Sequence, residues 1–283
     1  MTDHLLKELR GNVMILTLNR PKQLNAWTGP MSTALYDTML ECENDPRVGC
    51  IVVTGAGRGF CAGADMNGLS SMSTGSAAKA QPGAPRPKPE KRTVIFTTTI
   101  KKPVIAAING PVAGIGLSFA LACDIRFSNA KAKFTLAFSK RGLVAEHGAS
   151  WTLPKLVGTG NALYFAMSSD VITGEEAWRM GIVQKVVEDN VLEHAVEFAQ
   201  RLADTVSPTS MATMKAQMWN HPQLTLEEAT RQSNALMNSS TNPGNEDFTE
   251  GVQSFMQKRN PNFKPLNKRN PVMEMGKNFF SKL

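Results

Sequence analysis

Polar and apolar residues alternate in "LLKELRGNVMILTLNRP", once before Gly11 and again after it. A period of two marks a strand with one face buried, and Pro21 ends the run because proline cannot donate to a sheet ladder. The pattern predicts a β-hairpin. "MSTALYDTMLECENDP" follows, with Leu35, Met39 and Leu40 at helical spacing and a stop before Pro46. "VGCIVVTGAG" is a continuous apolar, β-branched run closed by glycines, as expected of a strand buried on both faces. "KPVIAAINGPVAG" repeats that pattern, and "LSFALACDIRFS" reads as a helix leading into another strand. Strands alternating with helices predict an α/β protein with crossover connections.

Two regions depart from this rhythm. Residues 70–92, "SSMSTGSAAKAQPGAPRPKPEKR", are rich in Ser, Ala, Pro and Gly, and read as a flexible excursion within a folded unit. From about residue 205 the strand signals fade, and three capped helices are expected. Ser207-Pro208, Thr225 with Glu228, and Asn245-Glu246-Asp247 mark their starts, with Lys258 and Arg259 at the last one's end. The expected organisation is an α/β core over residues 1–205, carrying the 70–92 insertion, and a helical region over residues 206–283 with a basic tail.

Composition narrows the functional classes. The 283 residues are 42% apolar, enough for one large core. No run reaches the ~18 apolar residues of a membrane helix, and "MTDHLLKELRGN" lacks an apolar signal-peptide stretch. Cys42, Cys50, Cys61 and Cys123 form no CxxC and no zinc-like pairing with the histidines, so reduced thiols of an intracellular protein are expected, and no metal. The net charge of +7 is concentrated at residues 79–92 and 258–283. Such segments suit phosphates or are simply solvated. They lack interleaved aromatics, so nucleic acid is not the expected partner. The chain ends in Ser281-Lys282-Leu283, which matches the address read by the peroxisomal import receptor. The expected location is the peroxisome, or the cytoplasm if the ending is chance.

Candidate chemistry lies at two glycine segments, each just after a buried strand: Gly59-Phe60-Cys61-Ala62-Gly63-Ala64-Asp65 and Asn109-Gly110-Pro111-Val112-Ala113-Gly114-Ile115-Gly116. Neither is a nucleotide-phosphate loop. They are either tight packing turns or two loops whose backbone N–H groups converge on an oxyanion. A third segment, "RGLVAEHGASW", places Glu146 and His147 between apolar residues and glycine.

The segments "GRGFCAGADM", "AAINGPVAGIGLSFALACDIRFS" and "FTLAFSKRGLVAEHGASWTLPKLVG", with "TGEEAWRMGIVQKVV" and "EGVQSFMQKRNPNF" further on, resemble the crotonase superfamily of enoyl-CoA hydratases and isomerases. The resemblance runs from the first hairpin to about Pro265. It implies an α/β, crotonase-like ββα spiral core with a C-terminal helical region, and a homotrimer or hexamer. It implies an acyl-CoA substrate and no other cofactor. The thioester oxygen would take N–H bonds from Ala64 and Ile115. Family hydratases carry glycine where Ile115 stands, but any residue except proline supplies the donor. Lys22, Ala62, Gly63, Asp65 and Gly114 fall where the family holds CoA and thioester, and Phe263 and Lys264 where a neighbouring subunit adds contacts. Asp65 would order its loop, and Asp124 would be structural.

The hydratases' two glutamates are replaced here by Ser118 and Phe138. Glu146 stands where several of the family's Δ3,Δ2-enoyl-CoA isomerases keep a single acid. The resemblance therefore implies a Δ3,Δ2-enoyl-CoA isomerase of fatty-acid β-oxidation, with Glu146 as proton shuttle in a mostly apolar pocket. Burial there would raise its pKa. The alternative for Glu146 is a cap on the helix beginning near Ala149. His147 would be a hydrogen-bonded neighbour, and Trp151 would pack beneath the loop. Rival functions are an enoyl-CoA hydratase, and a non-catalytic member binding acyl-CoA or RNA.

Overall fold

The N-terminal alternation folds as a hairpin of β1 (Leu5–Arg10) and β2 (Val13–Leu18), with Gly11 at φ +57° in the turn. The computed structural model describes residues 3–65, 70, 93–242 and 244–266. All of the 70–92 insertion except Ser70, and Ser281-Lys282-Leu283, lie outside the described residues.

Helix α1 (Gly29–Asn44) opens two residues before the stretch read as helical, because the Thr28 hydroxyl accepts from Met31 N–H and Pro30 sits in the first turn. The chain continues through β3 (Cys50–Gly55) and β4 (Val104–Ile108) to β5 (Val112–Ala113) and α2 (Gly114–Ala122). Strands β6 (Ile125–Asn129) and β7 (Lys133–Thr135) precede α3 (Ala149–Ser168), which is interrupted by non-helical backbone at Gly158. Next come β8 (Ile172–Thr173), α4 (Gly174–Arg179), β9 (Lys185–Val187) and α5 (Val191–Thr205). The C-terminal helices are α6 (Pro208–Asn220), α7 (Leu226–Ser240) and α8 (Glu246–Met256). Ser207, Thr225 and Asn245 cap them as expected, each accepting from a first-turn N–H.

The main sheet runs β1-β2-β3-β4-β6-β9, parallel throughout except for the hairpin. Its period of two sorts side chains between two cores. Val13, Ile15, Cys50, Val52, Ile105 and Ala107 face α5 and pack on Ala195, Val196 and Ala199. Leu16, Leu18, Ile51, Val53, Ala106 and Ile108 face the other way, onto α1 and α2. Both faces are covered, which is why β3 and β4 read as continuous apolar runs.

A second sheet, β5-β7-β8, is not anticipated by the sequence pattern. Strands of two or three residues carry no readable period. It takes β5 out of the main sheet and delivers the chain directly into α2.

Arg126 on β6 is wholly enclosed. Its guanidinium donates to the Ile182 carbonyl (2.7 Å) and to the Cys123 carbonyl (2.6 Å), closing the C-terminal end of α2. Burial pulls its pKa down, and the carbonyls offset part of that cost. Arg126→Leu should lower the unfolding free energy by about 3 kcal/mol, because it strands buried acceptors. Urea denaturation checks this; a loss under about 1 kcal/mol would contradict the role given to the guanidinium.

Candidate active site

The two glycine segments meet through short β-bridges. Cys61 pairs with Val112: Cys61 N–H donates to the Pro111 carbonyl (3.1 Å) and Ala113 N–H to the Cys61 carbonyl (2.9 Å). Trp27 pairs with Ala64 in the same manner. Trp27 N–H donates to the Gly63 carbonyl (2.8 Å), and Asp65 N–H donates to the Trp27 carbonyl (3.3 Å). In such a pair the residue between the two bonded neighbours turns its own N–H to the opposite side. Ala64 N–H therefore points away from Trp27. Ile115 is the second residue of α2, and an α-helix leaves its first N–H groups without an internal partner. Ala113, at the N-cap, provides no side-chain acceptor.

Glycine is required at three points of this junction. A Cβ on Gly116 would lie 2.6 Å from both the Cys61 carbonyl oxygen and its Sγ. A Cβ on Gly63 would lie 3.3 Å from the Ala113 carbonyl oxygen, a tight approach. Gly63 and Gly114 also hold φ of +104° and +50°. The result brings Ala64 and the start of α2 side by side, with two N–H donors that take no acceptor among the described residues and the positive end of a helix dipole. That is an arrangement for stabilising a developing oxyanion.

Residues Arg20 to Trp27 support it from below. Arg20 forms an ion pair with Asp65 (2.8 Å) and donates to the Ala26 carbonyl (2.7 Å). Asp65 thus orders its loop as expected. Asn25, fully buried at φ +56°, accepts from Arg20 N–H and donates to the Gly59 carbonyl (2.7 Å). Ala62 N–H bonds the Leu24 carbonyl, which brings exposed Lys22 close to the Ala62–Asp65 turn. Sequence reasoning missed Arg20, Asn25 and Trp27. The available signal was an Asn two residues before a Trp in "RPKQLNAW", a polar residue fit for left-handed backbone.

A cleft of about 490 Å³ opens beside Trp27, lined also by Thr33, Ile95, His147 and Gly148 among others. His147 reaches it on the loop before α3, with Glu146 as its chain neighbour. Gly142, His147 and Gly148 all have positive φ, and Ala149 N–H closes the turn onto the Glu146 carbonyl (3.0 Å). The Glu146 carboxylate lies 3.4 Å from His147 Nε2, with side chains 34% and 36% exposed. This corrects the expectation of an apolar enclosure: the loop runs over the surface, so the carboxylate meets solvent and an imidazole. Glu146 is not the helix cap either; Gly148 holds that position without a side-chain bond.

The loop is anchored from behind. Trp151, in the first turn of α3, stacks on Trp219 of α6 (ring centroids 5.7 Å apart, planes 17° apart). Asp124 accepts from Val104 N–H and Lys215 Nζ, each at 2.7 Å, consistent with a structural role. Ser118 is wholly buried, with no hydrogen-bond partner for its Oγ, and Phe138 is buried against the Gly114 turn. Phe263 and Lys264 are not brought to this cleft within the chain. Phe263 lines a groove among the C-terminal helices, and Lys264 pairs with Glu246 (3.0 Å). Burial pushes the Cys61 thiol up to about 11 and Cys123 to about 12, which leaves neither as a ready nucleophile. Among the described residues, no group of three or more His, Cys, Asp or Glu side chains gathers as a metal site. None of their helices is long and apolar enough to cross a membrane.

Comparisons with known proteins agree with the geometry. The enoyl-CoA hydratase/isomerase family model matches residues 8–266. A 1,2-epoxyphenylacetyl-CoA isomerase from Escherichia coli is 33% identical over 93% of this chain and 99% of its own. A probable enoyl-CoA hydratase from Rhodobacter capsulatus is 33% identical over the same shares. The crystal structure of a probable enoyl-CoA hydratase/isomerase from Mycobacterium abscessus superposes with a TM-score of 0.80 at 28% identity, covering 93% of this chain and 99% of that one.

Gly116→Ala should push α2 off Cys61 and misplace the Ile115 donor. Turnover of an enoyl-CoA substrate is expected to fall about 10²-fold, the usual consequence of losing one oxyanion donor. Steady-state kinetics with circular dichroism checks this; full activity in a folded variant would contradict the junction described.

Proposed function

This chain belongs to the enoyl-CoA hydratase/isomerase family, and from that premise we propose that it shifts the double bond of a 3-enoyl-CoA to the 2-position, as a step of fatty-acid β-oxidation. The thioester oxygen accepts N–H bonds from Ala64 and Ile115. Charge then builds on that oxygen at lower cost, and the C2 proton becomes removable. Glu146 takes that proton, and C4 gains one as the double bond moves; no water is added. CoA belongs to the substrate, and the reaction as written uses no other cofactor. Lys22 and the Ala62–Asp65 turn would hold the CoA phosphates and adenine.

The observation that carries this reading is the fate of the hydratase glutamates. Ser118 stands at one position, fully enclosed, and Phe138 at the other, a buried ring. Neither can hold and activate a water. Glu146 offers a carboxylate 3.4 Å from His147, which lines the cleft. Hydration of a 2-enoyl-CoA is the second reading, favoured by the second titratable group, His147, 3.4 Å from Glu146.

We also propose that the C-terminal helices assemble the protein into a homotrimer or hexamer. Met218, Phe255 and Met256 are 74%, 82% and 74% exposed on α6 and α8. Met214, Met237, Phe248, Val252, Phe255 and Met256 line one groove among these helices, and clustered exposed apolar side chains mark an interaction surface.

Two measurements test these proposals. Mass analysis of products from a 3-enoyl-CoA should find the 2-enoyl isomer at unchanged mass, and Glu146→Gln should slow its formation about 10²–10⁴-fold. A 3-hydroxyacyl product, or unchanged turnover in the variant, would overturn the isomerase reading. Light scattering should give at least three times the 30.7 kDa chain mass, reduced by Phe255→Lys; a wild-type monomer would overturn the assembly.

A further inference from the structure

We propose, resting on the isomerase reading, that His147 is a second proton carrier, so that the proton arriving at C4 is not the one that left C2. Two observations point to it. His147 lines the 490 Å³ cleft, and the carboxylate of the preceding Glu146 lies 3.4 Å from His147 Nε2. The loop also holds His147 at φ +55°, a left-handed backbone uncommon for a residue other than glycine. Strain of that kind persists where the surroundings impose it, and it collects at working sites.

The surroundings here are specific. Gly148 follows at φ +76°, and a Cβ on it would lie 2.9 Å from Ile95 Cγ2, so the backbone after the imidazole is tightly seated. The other residues that line the cleft, including Trp27, Ser32, Thr33, Thr93 and Ile95, carry no titratable group. Among the lining residues, His147 is therefore the titratable group, and Glu146 is its carboxylate neighbour at 3.4 Å.

The step balances without another reactant. The C2–H bond breaks, its proton passes to the Glu146 carboxylate, and its electron pair enters the dienolate held by Ala64 and Ile115. The C4–H bond forms from the His147 imidazolium, which becomes neutral. The Glu146 carboxyl then returns its proton to the imidazole across the 3.4 Å contact, restoring the starting state. The two side chains are similarly exposed, at 36% and 34%; what separates them is time, because the imidazole waits between turnovers and its proton exchanges with water, whereas Glu146 holds the C2 proton only while the double bond moves.

The test follows the label. Unlabelled 3-enoyl-CoA is converted in D2O, and the product's C4 is read by mass spectrometry and NMR at early times. Wild type should place deuterium at C4 in nearly every turnover. His147→Asn keeps a residue that tolerates left-handed backbone. It should turn over about tenfold or more slower, because Glu146 must work alone, and should carry protium from C2 to C4 in a measurable share of products. His147→Gly, which relieves the backbone, should behave like the Asn variant. Wild-type rate and labelling in both variants, or protium carried from C2 to C4 in wild type, would overturn the proposal. If wild type forms no 2-enoyl-CoA at all, the isomerase reading itself fails, and that outcome is distinct from either labelling result.

Discussion

The close approach of residues 61–64 to residues 112–116 is the constraint on which the site depends. Two backbone segments can come this near only where side chains are absent, and Gly116 leaves no room for a Cβ against Cys61. The Cys61–Val112 bridge holds the two segments together, and the Trp27–Ala64 bridge turns the Ala64 N–H away from Trp27. The Ile115 N–H is left over for a different reason: it lies in the first turn of α2, where a helix has no internal acceptor. The donors are main-chain groups, so the site tolerates isoleucine at 115 as readily as glycine. What it does not tolerate is bulk at the contact between the segments.

Around that contact the fold spends buried and half-buried polar groups on immobilising loops. Asn25 ties Arg20 to Gly59, and Asn109 ties Gly55 to Gly57, each bond between 2.7 and 3.2 Å. Arg126 closes the far end of α2, the helix whose near end supplies Ile115. Both ends of this short helix are therefore determined, one by glycine packing and one by a buried guanidinium. The acid–base loop is held differently. Its glycines and His147 bend it over the surface, and the Trp151–Trp219 stack fastens the following helix to the C-terminal region. Packing on α6 thereby connects the helices proposed to assemble the protein with the loop carrying Glu146.

Much of this was readable from residue order where short-range physics decides. Continuous β-branched runs gave β3 and β4, because both sheet faces are covered. Ser207, Thr225 and Asn245 marked helix starts, because a cap is a local hydrogen bond. Gly63, Gly114 and Gly116 flagged the junction. Three kinds of feature were not readable. The small sheet β5-β7-β8 has strands too short to show a period. The Arg20–Asp65 pair and the Trp151–Trp219 stack join residues distant in sequence, and nothing local encodes such a pairing. The exposure of Glu146 was misjudged because an apolar sequence neighbourhood was read as an apolar spatial one. Leu143 and Val144 are themselves exposed, Val144 at 74%, so the loop's apolar residues do not enclose the carboxylate.

A crystal structure with a bound, unreactive acyl-CoA would show whether two main-chain amides from separate segments hold one thioester oxygen. That oxygen is expected within about 2.7–3.1 Å of both Ala64 N and Ile115 N, with the Glu146–His147 pair facing C2 and C4. A thioester oxygen bound elsewhere, or contacting only one of these amides, would contradict it.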